Sequence, residues 1–397
     1  MRSFETVWQT VNQKHYDPTF GGLDWQEVHD RYRPQIGSAQ SDKKFYTLVK
    51  KMLFELNLSH LLITSHDDLK LYLPTLFADG SIGISINLLK GAPVITSVEP
   101  GSPGAQAGLR SGFILEAIDG VTIEQILSDG ENKLIPPYNS RNRRNNITLL
   151  LLGQICGPPD TKVSLTYLDE YGRRHKEAIV RKLRGPGRVF SEALPPFFIE
   201  FEAKRLENNI GYIWFNHFAD PVDERFISAM QSMRDASGLI IDLRGNSGGF
   251  IRTLNTIARH ILLQERSFAI FKFRDKTIDN ILAPVKDAYE GPVVVLINVT
   301  SMSCAEIFAS SMQTIGRAMI VGERSPGYSL LANWMRLPNG AAFMHTIAQN
   351  RSPDGHIIEG HGVVPDIEVE LDRKALLKGR DSQLQAAIAS LRSMMDR

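Results

Sequence analysis

Apolar residues recur at helical spacing through the first part of the chain. One set comprises Phe4, Val7, Trp8 and Val11, and a second comprises Phe45, Leu48, Val49, Met52, Leu53 and Leu56. Because residues three and four apart share one face of a helix, both sets predict amphipathic helices within residues 1 to about 75. Asn57 is a suitable helix end, and Ser59 and His60 follow it directly.

The pattern changes from about residue 80. "GSIGISINL" alternates as a strand does, and "APVITSVEPGSPGAQAGLRSGFILEAIDGVTI" indicates strand, Pro-Gly turn, short helix, strand and Asp-Gly turn. "KVSLTYLDEYGRRHKEAIVRKL" predicts a closing hairpin. The polar run "IEQILSDGENKLIPPYNSRNRRNN" predicts an inserted loop, so this part is expected to be a small β module.

After "RGPGRV" (184–189) strands with little internal polarity alternate with helical patterns. The strands are "IGYIWF", "GLIIDL", "PVVVLINV" and "AMIVGE". Such alternation predicts a parallel sheet covered on both faces. We therefore expect three domains: a helical N-terminal domain (1–76), a β module (77–184) and an α/β core (185–397).

Composition narrows the class of protein without identifying it. The chain has 397 residues, 43% of them apolar and 22% charged, as is usual for a soluble globular protein. A formal net charge of +1 provides no general attraction to nucleic acid. The two cysteines, Cys156 and Cys304, form no disulfide framework.

No export or membrane segment is expected from the sequence as written. The N-terminus lacks the apolar core of a signal peptide, and the run "ITLLLL" is too short to span a bilayer. This predicts a cytoplasmic protein with no integral membrane segment. A trimmed start would leave a periplasmic or secreted location open, and the oligomeric state is not predicted.

Two turns follow buried strands, where reactive groups gather in open α/β sheets. They are "RGNSGGF" (244–250) and "TSMSC" (300–304). Ser303 lies at a helix start, where a serine is either a cap or an exposed nucleophile. Gly248 and Gly249 free the backbone to present amides to a ligand, although an ordinary tight turn has the same pattern.

These motifs carry a resemblance to a known family. "GLIIDLRGNSGG" with "SMSCAEIFASSMQTIGRAMIVGE" resembles the C-terminal processing (tail-specific) serine peptidases. "GSIGISI", "VEPGSPGAQAGLRSGFILEAIDG" and "IIEGHGVVPDIEVEL" extend the resemblance over nearly the whole chain. It implies a multidomain protein with a ClpP/crotonase-like α/β core, a helical N-terminal domain and an inserted PDZ-like module.

One position departs from the tail-specific pattern. That branch pairs the serine with a lysine 25 residues later, and this chain has Tyr328 there. No lysine follows Ser303 before Lys374. A neutral tyrosine is a poor proton acceptor, so either the chain is inactive or its base comes from elsewhere.

The tricorn-core branch of the same superfamily is similar to this chain at "ELNLSHLLI" and "IIEGHGVVPD". The resemblance implies that Ser303 is the nucleophile, that His60 is its base and that Glu359 orients the base. It further implies that Ser59 supports the glutamate or a water. The amides of Gly249 and Cys304 are the implied oxyanion hole.

The same set is coherent as chemistry. A serine hydroxyl becomes reactive when a nearby base removes its proton, and histidine titrates near neutrality. A carboxylate that orients the histidine completes such a unit, whatever the order of its members in the chain. The expected activity is a serine endopeptidase, of the C-terminal processing type, that acts through an acyl-enzyme.

The expected substrate is a polypeptide that is unfolded or has a flexible tail. The PDZ-like module would bind it by adding a strand, or would only cover the active site as a lid. Candidate carboxylate-binding amides are those of Ser81, Ile82, Gly83 and Ile84. No metal, nucleotide or other cofactor is expected, because no phosphate loop or tight Cys/His cluster occurs.

Two other functions stay open at this point. "HIIEGH" places His356, Glu359 and His361 near an inverted zinc-peptidase pattern, although its isoleucines and glycine favour strand and turn over a helix. A peptide- or ligand-binding protein on a degenerate peptidase core is the second, since interphotoreceptor retinoid-binding protein resembles this core. His217, at a strand end, could line the cleft, although a structural role is the simpler interpretation.

Overall fold

The computed structural model describes residues 1–65, 67–130, 140–185, 188–189, 194 and 196–395. Its helices, in chain order, are α1 (Arg2–Lys14), α2 (Trp25–Gly37), α3 (Asp42–Phe54), α4 (Leu69–Tyr72), α5 (Pro74–Phe77), α6 (Pro103–Gln106), α7 (Ile123–Gly130), α8 (Ser140–Ile155), α9 (Val222–Ser232), α10 (Ile251–Arg259), α11 (Cys304–Thr314), α12 (Arg373–Leu376) and α13 (Ser382–Met395).

The strands form two large sheets around the core, one sheet in the inserted module and two short pairs. In chain order they are β1 (Leu62–Thr64), β2 (Gly80–Ser81), β3 (Ile84–Leu89), β4 (Ala92–Val98), β5 (Ile114–Ile118), β6 (Val121–Thr122), β7 (Lys162–Leu168), β8 (Arg174–Val180), β9 (Lys182–Leu183), β10 (Arg188–Val189), β11 (Phe197–Phe198), β12 (Phe201–Leu206), β13 (Ile210–Phe215), β14 (Gly238–Asp242), β15 (Arg266–Phe273), β16 (Thr277–Leu282), β17 (Val293–Ile297), β18 (Met319–Gly322), β19 (Leu331–Arg336), β20 (Ala342–Arg351) and β21 (Ile367–Glu368).

The central sheet has the order β12-β13-β14-β17-β18-β21. Every pair from β13 to β21 is parallel, and β12 joins β13 antiparallel. Strands β14 and β17 are buried along their whole length, because Phe308 of α11 belongs to the core on one face and Leu391 of α13 to that on the other. The prediction of a buried parallel sheet covered on both faces is confirmed.

The inserted module is a sheet of order β3-β4-β5-β7-β8, with β6 attached to β5. The predicted closing hairpin is present as β7 and β8. The predicted inserted loop is wrong over residues 123–130 and 140–146, which lie in α7 and α8, while 131–139 lie outside the described residues. Polarity misled the prediction, because Asn142 and Asn145 of α8 are buried against the core rather than exposed to water.

The N-terminal helices do not complete their own core. Phe343 and Ala341, from the β19–β20 region, belong to the same apolar cluster as Phe4 and Trp25. Strand β1 pairs antiparallel with β20 in a second sheet of order β1-β20-β15-β16, with β19 beside β20. The segment between α3 and β1, which carries Ser59 and His60, is therefore fixed to this second sheet.

Within the described part of the chain, no helix is both long and apolar enough to cross a membrane.

Candidate active site

Ser303 stands at the junction of β17 and α11 in an unusual backbone conformation, with φ 55° and ψ −119°. A residue that only caps a helix has β-region dihedrals, and positive φ is uncommon outside glycine. Such strain collects at functional sites, and a sharp strand-turn-helix junction is the typical setting of a nucleophilic serine. The Ser303 amide donates to Tyr328 O at 2.7 Å, which fixes the turn.

The glycine turn packs directly against this serine. A Cβ atom on Gly248 would lie 2.5 Å from Ser303 Cβ and 3.0 Å from Ser303 Oγ. A Cβ atom on Gly249 would lie 2.3 Å from Phe218 O. Both glycines have positive φ, 97° and 135°. The two turns are joined because the Met302 amide donates to Asn246 O at 2.9 Å.

Two backbone amides beside Ser303 suit the binding of an oxyanion. Cys304 begins α11, so its N–H has no acceptor within the helix. The Phe218 amide donates to Gly248 O, and Phe218 O accepts from the Phe250 amide. The Gly249 amide between them has no acceptor among the described residues. Cys304 Sγ donates to Gly249 O at 3.1 Å, which holds that glycine's carbonyl.

The Cys304 side chain is directed into the core, where burial raises the pKa of its thiol to about 12. A thiol with that pKa supplies almost no thiolate at neutral pH. We therefore expect Cys304→Ala to keep peptidase activity within about 3-fold of wild type, since it removes one hydrogen bond beside the site and no reacting group. Steady-state hydrolysis of a peptide substrate measures this, and a loss of more than 100-fold would contradict it.

His60, Ser59 and Glu359 form a hydrogen-bonded chain. Ser59 Oγ lies 2.6 Å from His60 Nδ1 and 3.0 Å from Glu359 Oε2. The Ser59 amide also donates to Glu359 Oε1 at 2.8 Å. Since a carboxylate only accepts, the Ser59 hydroxyl donates to Glu359 and its oxygen accepts the Nδ1 proton of His60. This tautomer leaves the lone pair on His60 Nε2.

Burial shifts both ionisable groups of this chain toward their neutral forms. It lowers the pKa of His60 to about 4 and raises the pKa of Glu359 to about 7. The hydrogen bonds that Glu359 accepts from Ser59 and the Ser329 amide act against its shift. At neutral pH His60 is therefore an unprotonated imidazole.

The histidine chain and the serine turn meet on one short backbone segment. Tyr328 O accepts from the Ser303 amide at 2.7 Å, and the next amide, of Ser329, donates to Glu359 Oε2 at 2.9 Å. Within the described ranges, no hydrogen bond joins Ser303 Oγ to His60. The structure thus brings the predicted residues to adjoining backbone, with Ser59 between His60 and Glu359.

Tyr328, at the position of the expected lysine, is buried and has its hydroxyl 3.2 Å from Asn146 Nδ2 of α8. Burial raises the pKa of this phenol well above its usual value, so it stays neutral. Asn145 Nδ2 of the same helix lies 3.5 Å from Met302 Sδ. Helix α8 of the inserted module therefore packs directly on the residues that flank Ser303.

Glu306 is a site residue that the sequence analysis missed. Its carboxylate accepts from Ser325 Oγ and the Gly327 amide at 2.6 Å, from the Tyr328 amide at 2.7 Å and from the Ser303 amide at 3.3 Å. Burial raises the pKa of Glu306 to about 8, although all these contacts are donors that favour its charged form. The spacing Ser-x-x-Glu at 303–306, a capping-box pattern, was the available signal.

The predicted carboxylate-binding segment lies at the start of β3, an edge strand of the module. The Gly83 amide donates to Ser81 Oγ at 3.0 Å, so that amide already has an acceptor in the chain. Ile82 is fully buried, and its carbonyl accepts from the Gly104 amide at 2.8 Å. Ile84 pairs with Val98 of β4.

The zinc-peptidase alternative has no geometric basis. Residues 356–362 contain no helix. His356 is exposed and contacts Asp354, whereas Glu359 is buried among amide and hydroxyl donors. The described residues contain no group of three or more His, Cys, Asp or Glu side chains that could hold a metal ion.

Known families match three parts of the chain. The model for peptidase family S41 matches residues 209–369, that for the tricorn protease C1 domain matches 1–54, and that for a PDZ domain matches 94–130. A carboxyl-terminal-processing protease of a Synechocystis species is 27% identical over 392 residues, covering 96% of this chain and 84% of the relative. Its namesake in a Picosynechococcus species is 26% identical, with coverages of 91% and 81%.

Solved structures share the fold over the whole length. The photosystem II D1 C-terminal processing protease superposes with a TM-score of 0.60 at 20% identity, over 95% of this chain and 96% of that one. Mature CPAF superposes with a TM-score of 0.63 at 14% identity, over 99% and 96%. The predicted α/β core with helical and PDZ-like additions is confirmed. Together these similarities support the C-terminal processing serine peptidase superfamily, and a serine-type peptidase, for this chain.

Proposed function

We propose that the chain is an endopeptidase of the C-terminal processing type that cleaves polypeptides through an acyl-enzyme on Ser303. The observation that carries the proposal is the hydrogen-bonded chain His60–Ser59–Glu359. It supplies a base of the right tautomer in a protein that has Tyr328 in place of the lysine.

In the proposed reaction, His60 Nε2 takes the proton of Ser303 as Oγ attacks the scissile carbonyl. The amides of Gly249 and Cys304 bind the developing oxyanion. His60 then returns the proton to the leaving amine, and a water molecule, activated by the same base, releases the acyl group. Ser59 lies between His60 and Glu359, so the carboxylate orients and stabilises the imidazolium through the Ser59 hydroxyl and not by a direct contact.

The hydrogen bond between Ser303 and His60 is expected to form when substrate binds, since catalytic hydrogen bonds are often long before that step. The substrate we propose is an unfolded polypeptide or a flexible tail. The relatives are named carboxyl-terminal-processing proteases, and the terminal residues of most domains are poorly ordered. We also propose the division into domains 1–76, 77–184 and 185–397, with residues 81–84 as the carboxylate-binding segment of the PDZ-like domain.

A binding protein with a peptidase fold is the second candidate. Tyr328 at the lysine position and the missing contact between Ser303 and His60 favour it. The two functions differ in one property, because only an enzyme activates its serine toward acylation or phosphonylation.

A fluorophosphonate probe tests this property, read by intact mass. We expect one adduct on wild type and on Ser310→Ala, which removes a serine two turns along the same helix. Ser303→Ala should gain none. An adduct on Ser303→Ala would place the nucleophile elsewhere, and no adduct on wild type would favour the binding protein.

A further inference from the structure

A second histidine lies beside the glycine turn and has no part in the proposed reaction. His217 follows β13, and its Nδ1 lies 3.1 Å from Ser247 Oγ. The two segments are joined on both sides, because the Ser247 amide donates to Asn216 O at 3.1 Å and the Phe218 amide donates to Gly248 O at 2.6 Å. The histidine is therefore held by the turn that carries a predicted oxyanion amide.

This turn places His217 close to the nucleophile. Ser247, its partner, directly precedes Gly248, whose Cβ position would lie 3.0 Å from Ser303 Oγ. The ring also meets Phe197 edge to face, with ring centroids 5.6 Å apart. Phe197 is itself buried, so the imidazole is held on one side by a fixed aromatic ring and on another by a serine.

The contacts of Ser247 indicate which nitrogen carries the proton. Its hydroxyl donates to Asn216 O at 3.4 Å, and its oxygen lies 3.1 Å from His217 Nδ1. Because the single hydroxyl proton is directed to a carbonyl, which only accepts, Ser247 Oγ accepts the Nδ1 proton of His217, and the lone pair of the ring stays on Nε2. Burial lowers the pKa of His217 to about 3, so the ring is neutral at physiological pH.

The Nε2 atom is available to a ligand. It has no hydrogen-bond partner among the residues that the structure describes. It is also not fully buried, and the side chain as a whole is of intermediate exposure. A neutral, fixed acceptor matches a neutral donor, and an extended polypeptide offers a main-chain amide about every 3.3 Å.

We propose that His217 is a substrate-binding residue whose Nε2 accepts a hydrogen bond from a main-chain amide of the polypeptide near the scissile bond. The inference rests on the proposed function and specifies how that site holds its substrate. Because the imidazole is already oriented by Ser247 and Phe197, the bond would form with little loss of side-chain entropy.

Two substitutions test the acceptor. His217→Gln keeps an acceptor, its Oε1, near the position of Nε2, and His217→Phe keeps a ring against Phe197 without an acceptor. With a quenched-fluorescence peptide, we expect His217→Phe to raise KM about 3- to 10-fold with kcat nearly unchanged, the usual effect of one neutral hydrogen bond. His217→Gln should stay within about 2-fold of wild type.

Labelling by the fluorophosphonate probe is the matched control, because this probe has no peptide amides. Its rate should be equal in wild type and both variants. Unchanged KM in His217→Phe would overturn the inference, and so would a loss of labelling, which would make His217 part of the nucleophile's machinery. If wild type is labelled but His217→Phe and His217→Gln raise KM by equal factors, the inference is also contradicted. Absence of labelling in wild type would instead refute the proposed function.

Discussion

Replacing Ser303 by alanine is expected to abolish peptide hydrolysis while leaving the fold intact. The side chain is partly exposed and only its hydroxyl is removed, so little packing is lost. The reaction loses its nucleophile. The same loss lowers kcat by about 10⁶-fold in a well-studied serine peptidase. Hydrolysis of labelled casein measures the activity, and thermal unfolding checks the fold.

His60→Ala should be nearly as damaging, and the double variant Ser303→Ala/His60→Ala no worse than either single one. Members of one catalytic unit fail together, because the serine is inert without its base. The matched control is His356→Ala, which removes an exposed histidine from the loop that carries Glu359. Full activity in His60→Ala would show that another group is the base.

Activity is expected to rise with pH through a midpoint of about 7. This rise in activity follows the ionisation of Glu359, because burial raises its pKa to about 7. The imidazolium that forms on His60 needs the charged carboxylate. The titration of His60 itself lies lower, since burial lowers its pKa to about 4. A pH profile of kcat/KM measures this, and a midpoint near 4 would assign the rise in activity to His60 instead.

Glu359→Gln should lower kcat/KM by about 10²- to 10⁴-fold and remove the rise in activity near pH 7.

The stability of the fold should change with pH in the opposite direction to activity. A raised pKa means that the folded state binds the Glu359 proton more tightly than the unfolded state does. The contribution of this proton to the free energy of unfolding is therefore complete below about pH 4.5 and is lost as pH rises through 7. The melting temperature of wild type, relative to Glu359→Gln, should therefore increase as pH falls. Glu306 titrates in both proteins and cancels in this comparison.

The sequence predicted the parts of the fold that follow from local pattern. β14 and β17 are continuous apolar runs with turn residues after them, so both the strands and the turns at 244–250 and 300–304 could be located. The pairing of distant segments could not be inferred. β1 is three residues long, and only its pairing with β20 makes it a strand.

The candidate site shows the same division. The resemblance to the tricorn-core branch singled out Ser303, His60 and Glu359, and their residue types suit acyl transfer. The place of Ser59 between His60 and Glu359 depends on a contact across 300 positions. The polar first half of helix α8 predicts a loop, and this prediction is wrong. Its asparagines are buried on Tyr328 and Met302, a tertiary contact that hydrophobic periodicity does not register.

The contact between Ser59 and Glu359 affects when the protein can become active during its synthesis. A ribosome makes Ser59 and His60 first, and the carboxylate that they require emerges 300 residues later. On the proposed function, the nascent chain therefore holds the base for a long interval without Ser303 and without Glu359. It would have no peptidase activity while it is itself an unfolded polypeptide, and activity would begin only after the segments around residues 59 and 359 have come together.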